Sequence, residues 1–405
     1  MHATRSASHR RDGPIEFVVL CRRVTAAAIV LFALGATLGP GMGASAARWP
    51  ASYFTGPLGA RNILPATRGG ALVGIFRRDP NGTLEEQKAA IRAREAYAGR
   101  RFDVYHNFLG GAGTYNGIRN CAHASGIKMV RWVHRRGGVP LVSWTPKRST
   151  TKSLLRDINR GRKDACFRAI ANRLGQYRFR IMLRPMHEFD QGQYGRRADG
   201  TSDYPNDGSG RPFIAAWRRI VRIFERRAPN VGFFWCPIDS FNRRYQTKSY
   251  PGNAYVDWVG ADRYNRGTGW PSPLHPGWAE FWEMLNYPQL NSSDPLTRSV
   301  YSRYSRRKPF FVGETSSKFD TSDINRKGNW YRHIARAKRP RDSIRYMRNL
   351  IGVSISDFYA AVGDDDWRVD RDQSWNGTGE GTFSPESYAG WRYWVRSPRW
   401  NVGRR

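Results

Sequence analysis

Two glutamates in this sequence follow directly on short apolar stretches. Glu188 ends residues 180–188, and Glu314 ends residues 308–314. Apolar runs of this length are typical of buried strands, and a carboxylate just beyond such a strand lies at the edge of its sheet. A pair of carboxyl groups placed in this way can transfer protons or attack an electrophilic carbon. Glu188 and Glu314 are therefore the first candidates for catalytic chemistry.

The elements that must position these residues alternate along the chain between strands and helices. The sequence predicts strands at 71–76, 102–105, 139–144, 179–183, 231–235, 256–261, 309–312 and 352–355, and helices at 83–100, 118–136, 163–176, 212–227, 277–285, 329–350 and 384–396. This alternation predicts an α/β fold, a (β/α)8 TIM barrel with enlarged loops on its C-terminal face. A doubly wound open sheet is the alternative, but no G-x-G-x-x-G or G-x-x-x-x-G-K-[ST] loop follows the first strand.

The order of the strands gives the two glutamates a defined relationship. Glu188 follows the fourth predicted strand, and Glu314 follows the seventh. In an eight-stranded barrel, the C-terminal ends of these strands face each other across the mouth. Enzymes that cleave a glycosidic bond with retention of configuration place two carboxyl groups about 5.5 Å apart. The sequence thus favours glycoside hydrolysis by Glu188 and Glu314.

Five separate motifs in the chain resemble those of glycoside hydrolase family 26. They are Arg184-Pro-Met-His187-Glu188, Trp235-Cys-Pro237 and the stretches 255–264, 311–314 and 364–368. The resemblance covers nearly all of the chain after residue 46, with the motifs in the right order. It implies a glycosidase of the clan A TIM barrels in which Glu188 is the general acid/base and Glu314 is the nucleophile.

The same resemblance implies a reaction and a substrate. The expected enzyme is an endo-acting β-glycanase that hydrolyses β-1,4-mannosidic bonds in mannan or galactomannan through a covalent glycosyl-enzyme. Residues 189–194 differ from those that follow the acid in family mannanases, so mixed-linkage β-1,3-1,4-glucan and β-xylan are alternative substrates. A barrel that binds polysaccharide without cleaving it is a further alternative.

Six residues near the predicted strand ends are expected to bind substrate or support the site. They are His187, Arg184, Trp144, Trp235, Tyr264 and Trp367. The tryptophans are expected to stack on sugar rings, and His187 to contact the substrate or orient the acid. Tyr264 is expected to donate a hydrogen bond to Glu314, and Arg184 to brace carboxylates. No cofactor and no metal site is expected.

The first 46 residues have the pattern of a secretory signal peptide. A basic segment precedes an apolar run at 24–38, and residues 44–46 match a signal peptidase site. An uncleaved anchor helix is the alternative, but the apolar run is short for a bilayer. Residues 47–70 are then an N-terminal lead-in, and 71–400 form a single catalytic domain of a secreted, extracellular protein. The route of export is left open.

Export allows disulfides to form, because they persist in oxidising compartments. Cys121 and Cys166 lie in predicted helical segments that flank one strand, so we predict that they pair with each other. Cys236 is then expected to be a buried free thiol.

The strong positive charge suggests a different kind of partner. The chain has 67 Lys and Arg against 33 Asp and Glu, a formal net charge of +34, which can hold a protein on an anionic polymer. The basic residues are spread along the whole chain, which favours a general surface bias over a nucleic-acid site. The expected partner is therefore a β-linked polysaccharide, with no nucleic acid, no membrane anchor after signal cleavage and a monomeric state. A basic nucleic-acid binder is the alternative that export argues against.

Overall fold

The part of the chain that the computed structural model describes lies within the unit Ala46–Arg405. It consists of residues 70–77, 83–109, 126–144, 154–177, 179–191, 209–238, 243–267, 271–272, 275–286, 298–320, 322–339, 347, 349–357, 359–360, 365–366, 368–369 and 383–400. The predicted leader at 1–46, the lead-in up to residue 69, Cys121 and Trp367 lie outside the described residues. Within the described ranges, no helix is both long enough and apolar enough to cross a bilayer.

Parallel strands close into a barrel around which the rest of the described chain is built. The strands of the barrel are β1 (Leu72–Arg77), β2 (Val104–Phe108), β3 (Val139–Trp144), β4 (Ile181–Pro185), β5 (Val231–Trp235), β6 (Trp258–Asp262), β9 (Phe310–Thr315) and β10 (Leu350–Asp357). Two small ribbons pair β7 (Pro271–Ser272) with β8 (His275–Pro276) and β11 (Tyr359–Ala360) with β12 (Asp365–Asp366). The barrel closes in the order β1-β10-β9-β6-β5-β4-β3-β2. The predicted (β/α)8 barrel is confirmed, and each predicted strand overlaps an observed one.

Helices cover the outside of the barrel. They are α1 (Leu84–Ala98), α2 (Gly126–Arg135), α3 (Leu154–Asn159), α4 (Asp164–Gly175), α5 (Arg211–Glu225), α6 (Arg243–Lys248), α7 (Phe281–Asn286), α8 (Val300–Tyr304), α9 (Arg326–Arg336) and α10 (Pro385–Arg396). The short helices α3, α6 and α8 are not among the predicted ones. The predicted helix at 329–350 is wrong at residues 337–339, since α9 ends at Arg336, and Pro340 disfavours helical backbone at the residue before it.

Apolar side chains form two layers, one inside the barrel and one between the barrel and the helices. The inner layer consists of Leu72, Val104, Val139, Leu141, Met182, Phe234, Cys236, Trp258, Phe311 and Ile351. The outer layer includes the buried face of α5, formed by Phe213, Trp217, Ile220 and Phe224 among others. Because parallel strands are covered on both faces, their sequences read as continuous apolar runs.

The inner positions change from apolar to polar toward the C-terminal ends of the strands. His106 lies two residues after Val104, and Arg184 two residues after Met182. Side chains two positions apart in a strand point to the same face. The barrel therefore places a polar layer above its apolar floor, at the end where TIM barrels carry their sites.

Two described cysteines differ in state. Cys236 is free and buried, which confirms the predicted free thiol. Cys166 is disulfide-bonded, and its partner lies outside the described residues. The pairing of Cys166 with Cys121 stays a prediction.

A buried ion pair ties the end of β10 to α1. Asp357 is fully buried and accepts hydrogen bonds from Arg94 Nε at 2.7 Å and from the Val369 N–H at 3.1 Å. Arg77 Nη1 lies 3.5 Å from the same carboxylate. Burial alone would raise the pKa of Asp357, but the charges of Arg94 and Arg77 hold that pKa below its ordinary value. The carboxylate is therefore charged in the folded state.

Substituting Arg94→Ala should destabilise the fold, because it leaves the buried charge of Asp357 with the more distant Arg77 as its remaining cationic partner. We expect the free energy of unfolding, measured in urea, to fall by about 3 kcal/mol. Arg92→Ala on the same helix is the control, since Arg92 is exposed, and its effect should stay below about 0.5 kcal/mol. Equal effects of the two substitutions would contradict a structural role for the pair.

Candidate active site

Three carboxyl groups meet at the C-terminal mouth of the barrel. One oxygen from each of Glu188, Asp262 and Glu314 lies within 4.8 Å of the others. Glu188 follows β4, Asp262 ends β6, and Glu314 lies near the end of β9, the seventh strand of the barrel in chain order. Asp262 and Glu314 are buried, whereas Glu188 is partly exposed. The fold thus brings the two predicted glutamates together and adds a third carboxyl group that the sequence analysis did not single out.

An extra residue in β9 turns Glu314 toward this cluster. Ala261 pairs with Val312 and the next residue, Asp262, pairs with Glu314, so Gly313 has no partner of its own on β6. A bulge of this kind re-aims the side chain beside it. A glycine is needed here because a Cβ at position 313 would lie 2.5 Å from Asp262 Oδ1 and 2.6 Å from an Arg184 nitrogen.

A tight turn positions Glu188 just beyond β4. Met186 and Glu188 have φ angles of 49° and 52°, a left-handed conformation that costs a non-glycine residue about 1–2 kcal/mol. The Met186 N–H donates to the Trp144 carbonyl at 2.8 Å, and the Glu188 N–H donates to the Cys236 carbonyl at 2.9 Å. The neighbouring strands therefore hold the strained turn in place, a feature that clusters at functional sites.

Arg184 is the positive charge at the centre of the cluster. Its Nη1 donates to both oxygens of Asp262 at 2.5 and 2.6 Å, and its Nη2 donates to Glu314 Oε1. The side chain is fully buried. Burial opposes its charge, but Asp262 and Glu314 raise the pKa of Arg184 above its ordinary value. One guanidinium thus orients two carboxylates that come from two other strands.

Two polar residues on adjacent strands support Arg184. Its Nε donates to Ser143 Oγ at 2.7 Å, and the same Oγ lies 2.6 Å from His106 Nε2. Burial and the charge of Arg184 lower the pKa of His106 well below its ordinary value. The imidazole is therefore neutral, so Ser143 can accept from Arg184 and donate to His106.

Tyr264 binds the second oxygen of Glu314. Its hydroxyl donates to Glu314 Oε2 at 2.9 Å and lies 2.8 Å from Ser356 Oγ. Burial and the charge of Glu314 raise the pKa of Tyr264 above its ordinary value, so the phenol keeps its proton. The hydrogen bond expected from the sequence is present, and Glu314 is held on one oxygen by Arg184 and on the other by Tyr264.

The environment of Glu188 favours its protonated form. Burial of the carboxyl group, followed by the negative charges of Asp262 and Glu314, raises the pKa of Glu188 well above its usual range, with Arg184 acting in the opposite direction. A carboxylic acid with a raised pKa beside an ionised partner is the arrangement that separates an acid role from a nucleophile role.

Asp262 is also perturbed. Burial raises its pKa to about 8, with Glu314 adding to the effect and Arg184 opposing it. Three carboxyl groups this close together have a spacing that suits a metal ion. The guanidinium of Arg184, however, is already paired with two of these carboxylates, those of Asp262 and Glu314, and supplies the positive charge that a metal ion would otherwise supply. The donor set therefore fits proton transfer better than metal binding.

His187 lies beside the acid but makes little contact with solvent. It is 4% exposed and packs edge-on against Phe108, with ring centroids 5.3 Å apart. Burial and the charge of Arg184 lower the pKa of His187 well below its usual range. The imidazole is therefore neutral at physiological pH, and its substrate contact stays a prediction.

Two of the predicted sugar platforms are wrong. Trp144 and Trp235 are 1% and 0% exposed, so neither ring has a face on which a sugar can stack. Trp144 packs edge-on against Phe167 of α4, and Trp235 packs against Phe189. Both rings point out of the barrel into the layer under the helices, because the inward positions at these strand ends belong to their neighbours in sequence.

Arg184 also differs from its prediction in one respect. It braces carboxylates as expected, but a fully buried guanidinium does not reach a bound substrate. Trp367, the third predicted platform, lies outside the described residues and stays a prediction.

The two residues that follow Glu188 have structural roles. Phe189 is fully buried, and Asp190 accepts from the Ile238 N–H at 2.9 Å and from Gln246 Nε2 at 2.6 Å. Asp190 therefore anchors the turn to the segment after β5, and its charge adds to the raised pKa of Glu188.

Sequence reasoning missed Asp262, His106 and Ser143. A signal for Asp262 exists, because it ends an apolar strand in the same way as the two glutamates. His106 and Ser143 give no comparable signal, since a single polar residue within a strand is common on a surface.

The raised pKa of Glu188 predicts a pH dependence of stability. The folded state binds this proton more tightly than the unfolded chain, so the stabilisation is complete below about pH 4.3 and is lost as pH rises through the folded pKa. Glu188→Gln removes a titrating group from this range. We expect its free energy of unfolding to fall less between pH 5 and pH 8 than that of wild type, by about 1.4 kcal/mol for each pH unit over which Glu188 keeps its proton.

Glu85→Gln is the matched control for this measurement. Glu85 is exposed and its pKa is lowered, chiefly by a hydrogen bond from Lys88, so it titrates below pH 5. Its substitution should leave the change between pH 5 and pH 8 as in wild type. Identical pH profiles for wild type and Glu188→Gln would show that Glu188 is ionised throughout.

The chain is similar to known proteins in sequence and in fold. No protein-family model matches the chain. The chain is 28% identical over 311 residues to endoglucanase H of Acetivibrio thermocellus, a match that covers 76% of this chain and 29% of that protein. The chain therefore spans less than a third of that curated relative.

Solved structures share the fold. The catalytic domain of a GH26 endo-β-1,4-mannanase from Bacillus sp. JAMB-750 aligns with a TM-score of 0.54 at 16% identity, covering 81% of this chain and 86% of that one. A modular endo-β-1,4-mannanase from Cellulomonas fimi aligns with a TM-score of 0.50 at 17% identity, covering 82% and 72%. The resemblance predicted from the motifs is thus confirmed: this chain is similar in sequence to an endoglucanase and has the fold of family 26 mannanases.

Proposed function

We propose that this chain is a retaining endo-β-glycanase with Glu188 as general acid/base and Glu314 as nucleophile. The observation that carries the proposal is the approach of their carboxylate oxygens to within 4.8 Å at the ends of the fourth and seventh strands of the barrel. That spacing suits direct attack on the anomeric carbon and is too short for an intervening water, which an inverting enzyme needs.

In the first step, Glu188 protonates the leaving oxygen while Glu314 attacks the anomeric carbon. The raised pKa of Glu188 keeps its proton available. Arg184 and Tyr264 hold both oxygens of Glu314, so the nucleophile keeps one orientation. Ordering a reactant in this way lowers the entropic part of the barrier.

In the second step, Glu188 acts as a base toward water. Formation of the glycosyl ester removes the negative charge of Glu314, which is one of the charges that raise the pKa of Glu188. The pKa of Glu188 therefore falls, and the carboxylate can accept a proton from the attacking water. Arg184 then remains paired with Asp262, so the guanidinium is not left unpaired when Glu314 becomes neutral.

We infer β-1,4-mannan as the first substrate, supported by the shared fold with family 26 mannanases. Mixed-linkage β-glucan is the second candidate, because the sequence match to an endoglucanase is closer in identity than the structural matches. His187 is proposed to contact the sugar at the bond that is cleaved. Trp367 is proposed as a sugar platform.

We also propose that the enzyme is secreted. The signal-like pattern at residues 1–46 supports this, as does the disulfide at Cys166, since disulfides persist in oxidising compartments.

The catalytic roles are tested by substitution of each glutamate. Glu188→Ala and Glu314→Ala should each lower kcat on the preferred polymer by about a thousandfold, because each removes a group that acts in the transition state. The measurement is the release of reducing ends from galactomannan, mixed-linkage β-glucan and xylan. Glu85→Gln is the control and should behave as wild type.

Two further readouts separate the roles. Azide should restore activity to Glu188→Ala on an aryl glycoside with a good leaving group, because that substrate needs no acid and azide needs no base. The first product released by wild type should keep the β configuration, as seen by NMR. An α product, or full activity in Glu314→Ala, would sink the mechanism; an inactive wild type on every β-glycan would sink the enzyme.

A further inference from the structure

A basic groove runs along the outer surface of the barrel, away from the carboxyl cluster. It has a volume of about 860 Å³ and lies between α5 and the segment that holds α3 and α4. Seven of its twelve lining residues are arginines, and Asp164 is the single acidic one. The lining therefore carries six net positive charges in one concave surface and shares no residue with the site described above.

The amphipathic pattern of α5 supplies most of this charge. Its apolar residues face the barrel, which leaves Arg211, Arg218 and Arg222 on the outer side, followed by Arg226 at the end of the helix. Arg218, Arg222 and Arg226 follow one another at intervals of four residues, about 6 Å along the helix axis, and Arg211 lies seven residues before Arg218. They form a row over about 22 Å from residue 211 to residue 226.

Acidic partners within the described part of the chain neutralise only some of the groove arginines. Arg219 donates to the two oxygens of Asp164 from Nε and Nη2, each at 2.7 Å. Arg218 donates to the Pro251 carbonyl at 2.9 Å. Within the described part of the chain, Arg211, Arg222 and Arg226 have no carboxylate within ion-pair distance. Arg222 Nη2 donates to the Tyr255 hydroxyl at 3.2 Å, but this partner is neutral. The positive charges of Arg211, Arg222 and Arg226 are therefore not balanced by a carboxylate in the described part of the chain.

This arrangement carries a cost that an anionic ligand would relieve. Like charges at i and i+4, as at Arg218 and Arg222, destabilise a helix. Exposed arginines elsewhere on the chain also repel one another, but the arginines of α5 differ from them because they line one side of a groove. An extended chain that carries regularly spaced anions would meet several of them at once.

We propose that this groove binds a linear carboxylated polysaccharide. Guanidinium groups match carboxylates in a bidentate geometry, which favours anions of this class over a diffuse counterion layer. Single-stranded nucleic acid is bound by stacking its bases on aromatic side chains, and the described lining of the groove contains no aromatic residue. Tyr255 is already contacted by two groove arginines, with the guanidinium carbons of Arg218 and Arg222 at 4.9 and 5.6 Å from its ring centroid.

Binding at this groove goes beyond the proposed hydrolase function. The groove takes an anionic chain, whereas the carboxyl cluster is suited to a neutral glycan, because negative charges repel an acidic sugar. The two sites together would let the chain bind an acidic polymer in the groove while it cleaves a neutral glycan at the carboxyl cluster.

The test compares two triple variants that lose the same charge. Arg211, Arg222 and Arg226 are changed to Gln in the groove variant, and Arg92, Arg135 and Arg336, which are exposed on other helices, are changed to Gln in the control. The probe is polygalacturonate, and affinity is measured at two salt concentrations. We expect the groove variant to lose about tenfold or more in affinity and the control less than about threefold, since three specific contacts outweigh a shared change in net charge.

A third variant and a second activity keep the outcome decisive. Lys at the three groove positions keeps the charge but not the bidentate geometry, so its affinity should lie between wild type and the Gln variant. Hydrolysis of neutral β-glycan should be unchanged in all variants, which also shows that they are folded. Equal losses in groove and control variants, no binding to polygalacturonate, or tighter binding of single-stranded DNA through the same arginines would each overturn the proposal. If wild type hydrolyses no β-glycan but binds polygalacturonate through these arginines, the proposed hydrolase function is overturned and the groove proposal stands.

Discussion

The candidate site depends on the burial of one guanidinium among three carboxyl groups. An isolated charge inside a protein is costly, so Arg184 is stable only because Asp262 and Glu314 bind it. The same pairing orients Glu314, while burial and the charges of Asp262 and Glu314 raise the pKa of Glu188. One buried interaction thus separates the chemical characters of two glutamates that look alike in the sequence.

Backbone irregularities deliver the two glutamates to this guanidinium. A regular strand alternates its side chains, and regular alternation would direct Glu314 away from the barrel interior after the inward Phe311 and Gly313. The bulge at Gly313 corrects this. At the opposite side of the mouth, the left-handed Glu188 ends a turn that hydrogen bonds from two neighbouring strands hold. The site therefore requires the neighbouring strands to be in place, since neither irregularity is stable by itself.

The outer surface follows a different rule. Trp144 and Trp235 occupy outward positions at strand ends, so the helices cover them and they contribute packing instead of sugar contacts. On α5 the same amphipathic logic leaves the arginines outside and gathers them into one groove. Basic residues are spread along the whole sequence, but the helical periodicity of α5 places several of its arginines on the same side of the helix. Positive charge is therefore concentrated at this groove.

The sequence by itself determined the eight strands, their order and the two glutamates at strand ends. Each strand could be recognised from its own apolar run, without knowledge of tertiary contacts. The end of the last long helix was predicted less accurately, because the predicted helix at 329–350 continues past Arg336, where α9 ends. Only the tertiary structure decided which side of a strand end a residue occupies. For that reason the structure adds Asp262 to the candidate site and removes Trp144 from it. The direction of a side chain depends on register and bulges, which are set by the neighbouring strands.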